Sequence, residues 1–211
     1  SRAFVSGKQN VSNVQWTPDG KGLAFLAKRG DDKNNCLYVL PIDGGEARKA
    51  ASLDEAISDY SFAPDGARVA LVASEPKPKG KKELEDKGFK QEIYEEDWRA
   101  SKIWIAKPFD TAEKPTKLEL DGSVHDVQWS PVDDRLAISV TPTPLVDDEY
   151  VRIRVHVIDA EDGKLLAHCD NPAKRGEFAW RLSILSHRAR RSCQPSTART
   201  KMRSTAAHSA G

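Results

Sequence analysis

The sequence holds no apolar run approaching the ~18 residues of a membrane-spanning helix, and only one methionine in 211 residues. It has three cysteines, Cys36, Cys169 and Cys193, an odd number at long spacings. They form no Cys-x-x-Cys metal pair and no disulfide framework, which leaves buried or inert thiols. There is no Gly-x-Ser-x-Gly stretch, and so no nucleophile elbow of the hydrolase type. There is no charged segment followed by an apolar one, the mark of a secretory leader; the chain opens on Ser1, which fits either a removed leader or a missing start. No long segment carries an i, i+3, i+4 apolar pattern, and 12 prolines and 13 glycines interrupt the chain, which excludes a helical domain. No cofactor motif is present.

The formal net charge of +1 conceals an asymmetry. All 32 acidic residues lie in residues 1–177, whereas residues 178–211 hold seven basic residues and no acidic one. Of the 33 basic residues, 26 therefore face 32 acidic ones in the body, a balance of −6, against +7 in the tail.

What is present is a repeat. Residues 11–27 read VSNVQWTPDGKGLAFLA, residues 57–73 ISDYSFAPDGARVALVA and residues 124–140 VHDVQWSPVDDRLAISV. The anchor aromatics Trp16, Phe62 and Trp129 are 46 and 67 residues apart, the longer interval containing an insertion at 76–98. A period of ~45 residues is that of a propeller blade. Each phrase is an apolar stretch ending in an aromatic, then turn chemistry, then a second apolar stretch: a β-hairpin. Pro18, Asp19 and Gly20 make the first turn and Pro64, Asp65 and Gly66 the second; Pro131 opens the third, with Asp133 and Asp134 in place of Asp-Gly. Proline presets φ and glycine supplies a positive φ.

Two more strands follow each hairpin. In the first copy they are Cys36 to Pro41 and, past Gly44 and Gly45, a weak fourth strand; in the second, Lys102 to Ala106 and Lys117 to Leu120. In the third, residues 151–159 alternate, with Val151, Ile153, Val155 and Val157 on one face and Arg152, Arg154 and His156 on the other, before a turn at Asp162 and Gly163 into residues 165–168. Four strands per copy predict an all-β chain: a partial β-propeller of about three four-stranded antiparallel blades, at about 10–52, 56–121 and 123–170, plus the first strand of a fourth. The partial propeller spans 1–180. Trp180 arrives 51 residues after Trp129, on schedule for that strand, and Trp16, Trp129 and Trp180 are read as packing between blades.

The phrase Trp-x-Pro-Asp-Gly-x-x-Leu-Ala-Phe at residues 16–25 resembles the repeat of TolB-like propellers. The same repeat fills the N-terminal propeller of prolyl oligopeptidase-family serine peptidases of the dipeptidyl and acylaminoacyl type. The insertion ending in IYEEDWRASKIWIA at residues 93–106 resembles the peptidase branch. The resemblance implies a truncated propeller without catalytic residues. In the intact enzyme it would cap an α/β-hydrolase domain, here missing, and gate peptide substrates. It further implies substrate binding near Glu95, Glu96 and Arg99, where paired carboxylates meet a peptide's free ammonium. The alternative is a TolB-like propeller that binds protein partners without enzymatic activity. No nucleic acid or membrane is expected as a partner, and the compartment stays open between the cytoplasm and periplasm of a bacterium. The open edges of a partial propeller predict that the isolated chain is marginally stable or associates with itself.

After Trp180 the pattern collapses into residues 181–211, which are rich in Arg, Ser, Thr and Ala. A shift of reading frame just past Trp180 accounts for the break. Residues 181–187 are compatible with such a shift: if they are written with the freely chosen codons CGC CTG AGT ATC TTA TCG CAT, one T restored before them reads Ser-Pro-Glu-Tyr-Leu-Ile-Ala, the blade phrase. The alternative is a genuine, disordered basic tail. A nucleic-acid-binding arm is disfavoured, because no aromatic follows Trp180 to stack on bases. His125, His156 and His168 have no second ligand at metal spacing and read as ordinary surface or inter-blade histidines, so no metal site is expected.

Overall fold

The computed structural model describes residues 10–77, 80, 87–89, 98–110, 112–169 and 178–180. Twelve strands form three four-stranded antiparallel sheets, each a meander in chain order. Sheet 1 holds β1 (Val11–Trp16), β2 (Gly22–Ala27), β3 (Cys36–Pro41) and β4 (Arg48–Ala51). Sheet 2 holds β5 (Ile57–Phe62), β6 (Val69–Ser74), β7 (Ser101–Ala106) and β8 (Thr116–Lys117). Sheet 3 holds β9 (Ser123–Trp129), β10 (Arg135–Thr141), β11 (Arg154–Asp159) and β12 (Leu165–Cys169).

The hairpin turns follow from their residues. Gly20 and Gly66 take φ of 68° and 69°, conformations costly for a residue with a Cβ. Asp19 accepts the Lys21 N–H at 3.0 Å, and Asp65 accepts the Ala67 N–H at 2.9 Å. The third turn uses different chemistry: Asp133 forks onto the guanidinium of Arg135 two residues on.

The sheets stack face to face through apolar side chains. In β6, Val69 and Leu71 face sheet 1, where they meet Leu26, Leu37 and Val39. Ala70 and Val72 of the same strand face sheet 3, where they meet Trp129, Leu136 and Ile138. A strand covered on both faces reads as an unbroken apolar run, which is why VALVA lacks alternation.

The first strands β1, β5 and β9 lie side by side and are tied together by side chains. Tyr60, fully buried, donates its hydroxyl to Asn13 O at 2.7 Å. Asp59 accepts the Val127 N–H at 2.9 Å and an N–H of the Asn13 amide. Ser61 Oγ accepts the Trp129 N–H at 2.8 Å. Each first strand also carries one residue more than its partner: the register breaks between Ser12 and Gln15, between Ile57 and Asp59, and beside Ser139 and Val140 opposite β9. Such bulges re-aim side chains away from the ladder.

Residues 178–180 take the place of a fourth first strand. Gln15 donates its amide to Tyr60 O at 3.5 Å, and Gln128, its counterpart in the third copy, donates to Phe178 O at 2.6 Å. Trp180 returns a bond from its indole N–H to Gln128 O at 3.1 Å, and Phe178 packs on Ala137 and Val155 of sheet 3.

Three local expectations change. The strand expected from 151 begins at Arg154, because Val146–Val151 forms a short helix, α1. Asp148 holds the start of α1 by accepting from the backbone N–H and hydroxyl of Thr143, at 3.1 and 2.7 Å. The fourth strand of sheet 2 is two residues long and ends at Lys117. Trp16, expected between blades like Trp129, is 57% exposed where Trp129 is 5%; among the described residues no sheet lies on the far side of sheet 1.

One glycine is demanded by packing. Gly122, in the link from β8 to β9, has φ of 80°, and a Cβ there would stand 2.2 Å from Thr141 O. Gly20 has a similar φ but open space around it. Gly122→Ala is therefore expected to destabilise by clearly more than Gly20→Ala, which pays only the left-handed backbone penalty of about 1–2 kcal/mol. Urea unfolding of both variants checks this; equal losses would show that the space at Gly122 is not limiting.

Candidate functional site

In an up-and-down meander, the β2–β3, β6–β7 and β10–β11 connections and the sheet-to-sheet links all emerge at one end. The hairpin turns occupy the other. The insertion at 76–98 and α1 both leave from the first of these ends, so the longest connections gather there. Between sheets 1 and 2 it carries a cleft of about 650 Å³, lined by Asp32, Cys36, Lys49, Asp54, Glu55 and Lys77 among others. An adjoining cleft of about 420 Å³ shares Asp54 and Glu55 and extends to Trp104.

Arg99 stands at this end. Its guanidinium donates to Glu75 O at 3.0 Å and lies 3.1 Å from a Glu55 carboxylate oxygen, linking the insertion's exit to the strand-to-strand link of sheets 1 and 2. Beside it, Lys117 bonds the Glu75 carboxylate at 3.1 Å and pairs with Glu119. These hydrogen bonds hold the Lys117 ammonium above its ordinary pKa. Glu95 and Glu96, the other two residues expected to bind substrate, lie outside the described residues, as does most of the insertion.

On the far wall Asp32 accepts from the Tyr38 hydroxyl and the Lys49 ammonium. The Arg29 guanidinium covers the Tyr38 ring at 5.3 Å. Burial works to raise the Asp32 pKa, but the bonds from Lys49, Tyr38 and the Arg29 N–H outweigh it and leave the carboxyl below its ordinary value. Tyr38 is pushed up by burial and by its bond to Asp32. No local pattern marks this cluster: its members come from a connection and two strands, and only the folding of sheet 1 joins them.

Chemically the cleft is a mixed-charge binding surface. Cys36 is buried, and burial, with the Asp32 charge next, pushes its thiol up, away from the reactive thiolate. His125 shares a hydrogen bond of 2.8 Å with Thr141. Among the described residues no group of three or more His, Cys, Asp or Glu could hold a metal ion, and no helix is long and apolar enough to cross a membrane.

Three stacked four-stranded meanders and the beginning of a fourth define a partial β-propeller. No family model matches the chain. A stretch of 71 residues is 34% identical to the uncharacterized peptidase YuxL of Bacillus subtilis, covering 34% of this chain and 11% of that protein. A putative TolB from Agrobacterium tumefaciens superposes with a TM-score of 0.53 at 18% identity, over 77% of this chain and 51% of that one. The β-propeller domain of the trilobed protease from Pyrococcus furiosus gives a TM-score of 0.49 at 16% identity, over 85% and 51%. The chain thus spans about a tenth of the curated relative and about half of each solved structure. It resembles a peptidase in sequence and a TolB propeller in fold.

Two outcomes follow from the site. The Arg99–Glu55 pair is about 30% exposed on both sides, so Arg99→Ala is expected to lower stability by no more than about 1 kcal/mol; a several-fold larger loss in urea unfolding would make the pair a structural clamp. Asp32 has a folded pKa below its unfolded value of about 3.9. Its contribution is present above that value and is lost as pH falls through the lowered folded pKa. The stability gap between the wild type and Asp32→Asn should be widest near neutral pH and close in acid; a gap independent of pH would contradict the assignment.

Proposed function

We propose that the chain is the non-catalytic propeller portion of a serine peptidase of the prolyl oligopeptidase type. In the intact enzyme it would cap an α/β-hydrolase domain and gate peptide substrates. The observation that carries this reading is the 34% identity to a peptidase over 71 residues, together with the repeat phrase at residues 16–25. Glu95 and Glu96 are the groups that would pair with the free ammonium of a peptide. Arg99, already paired with Glu55, would set the base of the insertion rather than touch substrate. Residues 181–211 are read as the product of a shifted frame.

A second reading is a TolB-like propeller that binds protein partners and has no enzyme attached. The fold likeness to the putative TolB supports it.

Sequencing the coding DNA across codon 180, and reading every forward frame downstream, separates the two. The peptidase reading expects an adjacent frame to resume with Ser-Pro and further blades, then Gly-x-Ser-x-Gly and a later Asp and His. It also expects the 211-residue chain to release no product from short chromogenic peptides, and the product of the restored frame to cleave them. A sound frame with no hydrolase downstream would overturn it in favour of the partner-binding propeller.

A further inference from the structure

His156 of β11 and His168 of β12 stand directly opposite each other in the ladder, flanked by Val155 opposite Cys169 and Val157 opposite Ala167. Directly opposed residues project from the same face with Cβ atoms about 4.5–5.5 Å apart. That places two imidazoles within reach of one ion. His156 is half-buried and His168 exposed, so one ligand is held by packing while the other stays open to solvent. Among the described residues the strand that carries His168 is the outermost of its sheet and bonds only to β11.

We propose that His156 and His168 chelate a divalent transition-metal ion across β11 and β12. Imidazole selects zinc, nickel or copper over magnesium or calcium. With two protein ligands, water fills the remaining positions, and the site is open rather than a closed cage. The ion would clip the outer strand of sheet 3 to its neighbour. Twelve residues separate the two histidines, a spacing that belongs to no metal motif, so the antiparallel register alone creates the pair.

The test is titration of the full, untagged chain with nickel or zinc chloride at about pH 7.5, because metal affinity depends on pH. Calorimetry follows binding, and hydrogen exchange follows the amides of Leu165–Cys169. Saturable binding of one equivalent is expected, weakened about tenfold or more in H168A and retained when His187 and His208 are both replaced by alanine. The ion should slow exchange in β12 of the wild type but not of H168A. His168 is exposed, so that variant leaves the fold intact. Equal affinity in wild type and H168A, loss of binding in the H187A/H208A variant, or no saturable binding would each overturn the site.

Discussion

The structure depends on how the inner edge of each sheet is closed. A first strand pairs with its second strand on one side only, and its other edge presents backbone N–H and C=O groups that must find partners. Here the neighbouring sheet supplies them through side chains. Asp59 takes the Val127 N–H, Ser61 takes the Trp129 N–H, and Tyr60 and Gln15 reach carbonyls across the same seam. Burying Asp59 raises its pKa, while the N–H groups it accepts oppose that shift. The carboxylate sits there because it satisfies two donors at once.

The same constraint explains the bulges and the spacing of the repeat. One extra residue in each first strand turns a side chain out of the ladder and toward the next sheet. Gln128 bonds Phe178 as Gln15 bonds Tyr60, so the seam between sheet 3 and residues 178–180 repeats the seam between sheets 1 and 2. With that inner edge satisfied and apolar faces stacked outside it, the connections at either end are free to vary. One end keeps tight turns. The other takes the insertion, α1 and the mixed-charge cleft, so variation concentrates where a ligand or partner would meet the propeller.

The sheets were legible because each copy writes the same phrase: an aromatic, turn residues, then an apolar run. Helix α1 was not, because its Val-Asp-Asp-Glu-Tyr-Val run is too short to show a helical period and flows into an alternating strand. Its start is set by Asp148 and Thr143, two residues that no pattern links. Of the expected site, Arg99 lies at the insertion end with Glu55, while Glu95 and Glu96 fall outside the described residues. The Asp32–Tyr38–Lys49 cluster and the His156–His168 pair were hidden for one reason: their members come from different strands or connections.

By itself the sequence determined the class of fold, the number of sheets and the place where a fourth begins. Those properties are local, set by periodicity of two and by turn residues that act within a few positions. Only the tertiary structure decided which side chains meet across strands and between sheets. Register and stacking bring together residues up to 68 positions apart, and such contacts between different strands leave no local signature.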